Sequence, residues 1–171
     1  VEKEMWYSNA ITYLKQQSYL DGYPDGTFRP DGSITRGEAV KMVGDALELN
    51  GSKQPTSYDD VGENHFASGY IVEATEQGWI TGYPNNEFKA DDPITRGDVA
   101  LIIGRAFDIS PSNQPAFTDV TKNDYYYAAI NGLYHQELIT GYETGHYEPT
   151  KHISRAEFSL ILTKVLNVTF R

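Results

Sequence analysis

One segment decides the fold, and it reads Gly-Tyr-Pro-Asp-Gly-Thr-Phe at residues 22–28. Its counterparts are Gly-Tyr-Pro-Asn-Asn-Glu-Phe at residues 82–88 and Gly-Tyr-Glu-Thr-Gly-His-Tyr at residues 141–147. A second motif follows each copy after a short spacer. It combines isoleucine, a hydroxyl residue, arginine, a small residue and an acid, at residues 34–38, 94–98 and 153–157. Two motifs that return three times in the same order indicate an internally repeated chain.

The similarity extends outward from these motifs over most of the chain. A shift of 60 residues aligns residues 6–49 with 66–109, and a further shift of 59 aligns both with 125–168, without a gap. The first two copies are identical at 14 of 44 aligned positions, where unrelated sequences of ordinary composition would share about three. The chain therefore divides into repeat 1 (1–50), repeat 2 (58–110), repeat 3 (117–169) and the proline-containing linkers 51–57 and 111–116.

Each repeat reads as a helix, a turn-rich loop and a second helix. Ala10, Ile11 and Leu14 illustrate the single apolar face of the first helix. One aromatic residue in each loop is expected to plug into the core, namely Phe28, Phe88 and Tyr147. The second helix is apolar around most of its circumference, which predicts a central position. The sequence thus predicts a mainly α fold in which three second helices form a bundle around a pseudo-threefold axis. Because one repeat is too small to bury a core alone, we expect a single cooperative domain over residues 1–171.

The composition narrows the possible partners. With 14 Lys+Arg against 24 Asp+Glu, the formal net charge is −10, which argues against general binding to nucleic acid or to an anionic membrane surface. No apolar run is long enough for membrane insertion. No basic and then apolar leader opens the sequence, so we expect that any secretion signal has been removed or was never part of this sequence. The absence of cysteine excludes disulfides, a thiol nucleophile and cysteine-bound zinc. The 13 tyrosines suit carbohydrate and interface contacts, and the alternative is that most of them pack in the core and the loops.

The second motif predicts both a helix start and an anion site. The hydroxyl residue and the acid three positions later match a capping box, and these cap residues are Thr35, Glu38, Thr95, Asp98, Ser154 and Glu157. An arginine at the first helical position is unfavourable beside the positive end of the helix dipole. Free helical N–H groups beside a guanidinium would bind a carboxylate or phosphate, and the small residue that follows would let a ligand approach the backbone. The alternative is a structural ion pair between each arginine and an acid of a neighbouring repeat.

The order of these motifs resembles the surface-layer homology domain, and the resemblance covers nearly the whole chain. It implies a three-pronged spindle around a central three-helix bundle, with ligand grooves between neighbouring repeats. It also implies a secreted module that holds a protein on the bacterial cell wall non-covalently. The implied partner is a secondary cell-wall polysaccharide, typically capped with pyruvylated N-acetylmannosamine. No enzyme activity, cofactor or metal is implied, and we expect the isolated module to be monomeric.

The resemblance also assigns ligand-binding residues. The motif arginine of the family engages the pyruvyl carboxylate, which implies this role for Arg36, Arg96 and Arg155. The loop residues implied to assist are Gly22, Tyr23, Gly82, Tyr83, Gly141 and Tyr142. The family has alanine where Gly37 and Gly97 stand here. Glu143 replaces the proline of the other two loops and adds a negative charge, so we expect the groove that receives the loop of repeat 3 to be the weakest.

Three other functions compete with this hypothesis. A calcium loop is suggested by Asp21, Asp25 and Gly26, but Tyr23 and Gly32 stand where an EF-hand needs side-chain ligands. A hydrolase would need one asymmetric constellation, whereas these features recur three times. The four histidines occupy non-equivalent positions, which favours solvent-facing or capping roles over a metal cluster. A protein–protein assembly module of a surface lattice, without glycan binding, remains the main alternative.

Overall fold

The computed structural model describes residues 5–171, and the fold there is mainly helical, as predicted. The described residues form six α-helices and a short 3-10 helix, with isolated bridges in place of a sheet. Each repeat supplies two helices in chain order: α1 (Ser8–Gln16), α2 (Arg36–Ala46), α3 (Ser68–Glu76), α4 (Arg96–Ala106), α5 (Tyr127–His135) and α6 (Arg155–Leu166). The 3-10 helix spans Val168–Phe170.

The second helix of each repeat begins directly after the predicted cap residue. The side-chain oxygens of Thr35, Thr95 and Ser154 accept the backbone N–H of the third helical residue. Glu38 and Glu157 complete the capping box by accepting the N–H of the cap residue at 2.9 Å. Asp98 does not, so the capping box predicted in repeat 2 is wrong. The shorter side chain of Asp98 instead accepts hydrogen bonds from Arg36 and Tyr125.

The helices pair across repeat boundaries. The first helix of each repeat packs on the second helix of the preceding one, so that α3 lies on α2 and α5 on α4. The pattern closes on itself because α1 packs on α6. Each helix pair therefore belongs to two repeats, which makes the three repeats a ring.

Three isoleucines mark the centre of this ring. The backbone N–H of Ile34 donates to the carbonyl of Ile153 at 3.2 Å, Ile94 donates to Ile34 at 3.0 Å, and Ile153 donates to Ile94 at 3.1 Å. All three side chains are completely buried. This closed cycle of backbone bonds gives the pseudo-threefold axis that the sequence predicts, and it fixes the start of α2, α4 and α6 around it.

The predicted aromatic plugs differ in depth. Phe88 and Tyr147 are completely buried, in contact with the rings of Tyr58 and Phe117. Phe28 is only half-buried, and no such covering ring lies on it among the described residues. The plug prediction therefore holds fully for the loops of repeats 2 and 3 and partly for that of repeat 1.

Candidate ligand-binding grooves

The three motif arginines are buried, and each reaches into the next repeat. Arg36, Arg96 and Arg155 are only 5–6% exposed. In each case Nε donates to the carbonyl of the aromatic plug of the next repeat, at 2.8–3.0 Å. One terminal nitrogen binds an acid on the next second helix, and the pairs are Arg36–Asp98, Arg96–Glu157 and Arg155–Glu38 at 2.9–3.2 Å. The structural ion pair considered as the alternative is therefore present in every repeat.

The other terminal nitrogen of each guanidinium binds the loop of the next repeat. Nη2 of Arg36 donates to the Thr81 carbonyl at 3.5 Å, and that of Arg96 donates to the Thr140 carbonyl at 3.2 Å. Arg155 binds the Asp21 carbonyl at 3.2 Å. A guanidinium carries five N–H donors, and these contacts use three of them.

The N–H groups at the helix starts are not free, contrary to the expectation from the sequence. Arg36 and Gly37 donate theirs to the carbonyls of Asp92 and Ala90, at 3.0 and 2.8 Å. The other two helices repeat this arrangement with carbonyls of the next repeat. A Cβ at Gly37 would lie 3.0 Å from the Ala90 oxygen. The small residue therefore admits the backbone of the neighbouring repeat, and the helix start by itself offers no anion site.

The loop tyrosines lie over the arginines. The guanidinium carbon is 5.1 Å from the ring centre in the Arg36–Tyr83 pair, 5.2 Å in Arg96–Tyr142 and 4.7 Å in Arg155–Tyr23. Such stacking is a favourable cation–π contact. The predicted arginine and tyrosine of each site therefore come together, and they do so between consecutive repeats.

The loop glycines serve packing. A Cβ on Gly82 would collide with the ring of Tyr58, and one on Gly141 would collide with the ring of Phe117. A Cβ on Gly22 would lie 3.0 Å from the carbonyl oxygen of Thr27. Gly82 and Gly141 also line grooves.

Two of these arginine–tyrosine pairs line a cavity, and we call these cavities groove 1 and groove 2. Groove 1 is a cavity of about 490 Å³, and its lining includes Arg36, Tyr83, Asp98, Arg105, Tyr125 and Trp79. Groove 2 is a cavity of about 270 Å³, and its lining includes Arg96, Tyr142, Glu157, Lys164 and Trp6. Groove 3 denotes the pseudo-equivalent region, with Arg155, Tyr23, Glu38, Lys41, Asp45 and Phe66.

The comparison with known families follows the same three units. A sequence model of the S-layer homology domain matches residues 1–40, 57–100 and 116–159. Each matched segment ends just after the arginine motif, and together they cover more than half of the chain. The chain belongs to the S-layer homology domain family.

Relatives of this S-layer homology domain are much longer proteins. The chain is 33% identical over 169 residues to Cell surface glycoprotein 1 of Acetivibrio thermocellus, covering 89% of this chain and 7% of that protein. It is 36% identical over 143 residues to the Cellulosome-anchoring protein of the same organism, covering 78% and 32%. It is 29% identical over 159 residues to an S-layer protein of Bacillus licheniformis, covering 89% and 18%. The chain thus spans less than a third of each of these relatives.

Family membership gives the function at a coarse level. An S-layer homology domain is a non-catalytic module of cell-surface proteins, and its role is anchoring at the cell surface. Among the described residues, no helix has the length and apolar character needed to cross a membrane. Residues 5–171 also contain no group of three or more acidic or histidine side chains arranged to hold a metal ion.

Two kinds of groove residue in this S-layer homology domain were missed from the sequence. The first is an exposed aromatic at the mouth, Tyr125 in groove 1 and Trp6 in groove 2, which are 70% and 58% exposed. Both align with Phe66, which is 43% exposed, so an aromatic at the first aligned position of all three repeats was the available signal. Partial burial and the hydrogen bond from the Tyr125 hydroxyl to Asp98 raise the pKa of Tyr125.

The second kind of missed residue is a cation on the second helix, about two helical turns beyond the acid. Arg105 lines groove 1, and Lys164, at the aligned position, lines groove 2. Neither forms an ion pair within residues 5–171, although Lys164 also donates to the Glu137 carbonyl. The buried arginine is balanced by its acid, so this second cation gives grooves 1 and 2 their unbalanced positive charge.

The loop charge on which the sequence argument relied lies outside the groove lining. Glu143 is exposed, and the residues that line groove 2 do not include it. Tyr142 and Lys164, in contrast, are part of that lining. The geometry therefore gives no support to Glu143 as the source of a weak groove, and differences between grooves must be sought on the second helices.

Proposed function

We propose that this S-layer homology domain anchors its parent protein to the bacterial cell wall by binding a pyruvylated secondary cell-wall polysaccharide in the grooves between repeats. The terminal sugar would be of the N-acetylmannosamine type, with its pyruvyl ketal supplying a carboxylate. The observation that carries the proposal is the convergence of a buried arginine, a stacked tyrosine and an unpaired surface cation on one cavity, in grooves 1 and 2.

The groove chemistry fits an acidic sugar better than a neutral one. Two unused guanidinium N–H groups and the ammonium or guanidinium at position 105 or 164 can donate to a carboxylate. Charge-assisted hydrogen bonds of this type are worth about 1.5–3 kcal/mol each. The positive charge stands out because the chain as a whole carries a net charge of −10, so an acidic polymer would be attracted locally and repelled elsewhere.

The aromatic residues at the groove mouth fit the sugar ring. Trp6 and Tyr125 present large exposed faces beside the cavity, and an aromatic ring supplies flat apolar area for the C–H face of a pyranose. A pocket that can bind a carboxylate, beside an exposed aromatic ring, is therefore complementary to a sugar that carries a ketal-linked acid on one edge.

Sedimentation with purified cell-wall polysaccharide tests the proposal. We expect the domain to bind the native polysaccharide and to bind it at least about tenfold more weakly after the pyruvyl groups are removed, since one charge-assisted bond of about 1.5 kcal/mol corresponds to that factor. The double variant Arg105→Gln/Lys164→Gln should lose binding, while the matched variant Lys53→Gln, in the linker, should retain it. Equal retention of both polysaccharides would contradict the proposal, and self-association without any polysaccharide binding would favour the lattice-assembly alternative.

A further inference from the structure

Groove 3 differs from the other two at two aligned positions of the second helix. Position 101 in α4 and position 160 in α6 are leucines, whereas α2 has Lys41 there. Position 105 in α4 and position 164 in α6 are the cations described above, whereas α2 has Asp45. The unpaired cation of grooves 1 and 2 is thus replaced by a carboxylate in groove 3.

The lysine of groove 3, Lys41, is bound by two aspartates of the protein itself. Nζ of Lys41 donates to Asp45 at 2.7 Å and to Asp21 at 3.2 Å. Burial acts to lower the pKa of Lys41, but the hydrogen bonds and charges of Asp45 and Asp21 outweigh it and raise the pKa. Asp45 also accepts a hydrogen bond from the Tyr70 hydroxyl. The lysine therefore stays charged and stays bound to two carboxylates.

The ion-pair cluster of Lys41, Asp45 and Asp21 contacts the arginine of the same groove. Asp21 binds Lys41 through its side chain and Arg155 through its carbonyl oxygen. Arg155 is in turn paired with Glu38, one helical turn before Lys41. Arg155 and Lys41 thus face Glu38, Asp45 and Asp21, so groove 3 has no unbalanced positive charge.

Cations in the loops do not give groove 3 an unbalanced positive charge. Arg29 lies over Tyr23 but is paired with Asp25 at 2.8 Å. The loop lysines of the other grooves, Lys89 and Lys151, are likewise paired within their own loops, with Glu87 and Glu148. Lys151 is not at the position of Arg29, where repeat 3 has Glu148. Because each of these loop cations is balanced within its own loop, we attribute the difference between grooves to the second helix.

We propose that the aligned position 45, 105 and 164 decides which grooves bind the carboxylate ligand, so that grooves 1 and 2 bind it and groove 3 does not. This inference rests on the proposed function, because it concerns the same ligand. A cation at that position attracts the carboxylate, and an aspartate repels it while it holds the nearby lysine. The domain is thus a two-site binder built on a threefold scaffold.

Calorimetric titration with a monovalent pyruvylated N-acetylmannosamine counts the sites. We expect two sites per chain for the unmodified domain and one for Arg105→Asp, whose remaining site is groove 2. The double variant Lys41→Leu/Asp45→Arg copies the second-helix residues of groove 1 into groove 3, and we expect it to have three sites. The change of charge at one position should alter the affinity of its groove by about tenfold or more at moderate salt.

The outcomes separate this inference from the proposed function. Three equivalent sites in the unmodified domain would overturn the inference and leave the proposed function standing, and so would an unchanged count in Arg105→Asp. Absence of any binding to the unmodified domain would overturn the proposed function, and the inference with it. Because Lys41→Leu/Asp45→Arg removes the partner of Tyr70, its thermal unfolding is measured alongside. If it is unfolded, Arg105→Asp and Lys164→Glu, each expected to leave one site, decide the question.

Discussion

At the scale of single residues, Arg96 shows that the motif proposed to bind the ligand also holds the fold together. Its guanidinium donates to the carbonyls of Tyr147 and Thr140 and pairs with Glu157. All three partners belong to the next repeat, and only 6% of Arg96 is exposed. Removing one partner of a buried pair leaves polar groups without compensation, which costs more than the pair itself contributes.

We therefore expect Arg96→Ala to destabilise the domain by about 2–4 kcal/mol. Since Glu157 is partly exposed, water can solvate the carboxylate that is left, which keeps the cost below that of a fully enclosed pair. Urea unfolding measures the loss. Arg29→Ala is the matched control, because the Arg29–Asp25 pair is about half-exposed and such pairs contribute little. An unchanged unfolding midpoint for Arg96→Ala would contradict the structural role of the arginine.

Asp60 links the loop of repeat 2 to the segment before it. Its two carboxylate oxygens accept the backbone N–H groups of Phe88 and Lys89 at 2.8 and 2.7 Å. Slight burial acts to raise the pKa of Asp60, but these backbone hydrogen bonds outweigh it and lower the pKa. Because the folded form has the lower pKa, the unfolded chain binds more protons in acid. This stabilisation is therefore complete above a pH of about 4 and is lost as the pH falls through the folded pKa.

Asp60→Asn should consequently destabilise the domain by about 1 kcal/mol at neutral pH, because the amide replaces one of the two accepting oxygens with an NH2 group, which cannot accept an N–H. The difference from the unmodified domain should shrink as the pH falls below about 4. Unfolding midpoints measured between pH 7 and pH 2 test this, with the exposed Asp31→Asn as control. A difference that stays constant over the whole range would show that the carboxylate charge has no part in it.

At this scale, the sequence predicts which residues form the motifs, but not which residues of other repeats they bind. The arginine motif and the cap residues are visible because their spacing is local, and Thr35, Thr95 and Ser154 do begin helices. The partner of Arg36 is Asp98, 62 residues away, and no local pattern encodes that distance. The failed capping box at Asp98 has the same origin, since Arg36 and Tyr125 come from other repeats.

At the scale of elements, packing depends on how closely the backbone of a neighbouring segment approaches a helix. Gly69 lies in α3, and a Cβ there would collide with the Ser52 carbonyl and lie 2.7 Å from the carbonyl carbon of Gly51. The linker between repeats 1 and 2 therefore crosses the helix directly over this glycine. Gly104 in α4 is different, because its Cβ would meet Leu133 and Ala129 at ordinary contact distances of 3.5 and 3.7 Å.

Alanine at these two glycines should have opposite effects. Gly69→Ala should destabilise the domain by about 1–3 kcal/mol, since the linker backbone would have to move, despite the better helix propensity of alanine. Gly104→Ala should stabilise it by about 0.5–1 kcal/mol through that propensity. Thermal and urea unfolding of the two variants give the comparison. Stabilisation by Gly69→Ala would mean that the linker does not cross the helix as closely as described.

Helices could be predicted from the sequence, but not which helices pair. The apolar faces and cap signals locate all six helices, because both depend on residues a few positions apart. Pairing of α3 with α2, and of α1 with α6, depends on how the ring closes. The same is true of Trp6, whose place beside groove 2 follows from that closure.

Closure of the ring makes cooperativity a property of the whole molecule. The Ile34, Ile94 and Ile153 backbone bonds connect all three repeats, and the α1–α6, α2–α3 and α4–α5 pairs each join two of them. No repeat retains its own packing if another is lost. We therefore predict one unfolding transition for the domain, as expected for a single small core.

The two tryptophans report on this transition from different places. In Trp79→Phe only Trp6 emits, at groove 2, and in Trp6→Phe only Trp79 emits, at groove 1. Each urea curve measured by fluorescence should coincide with the loss of helical circular dichroism in the same variant. Separate transitions within one variant would show that the repeats unfold independently.

The central claim is that the grooves between repeats bind a sugar through its carboxylate, and the indole groups of Trp6 and Trp79 test it most directly. Titration with pyruvylated N-acetylmannosamine, followed by nuclear magnetic resonance of the two indole N–H signals, should shift Trp79 at groove 1 and Trp6 at groove 2. The same sugar without the pyruvyl group should leave both signals in place at equal concentration. Indole signals that do not move at saturating pyruvylated sugar, or that move equally with both sugars, would contradict the account.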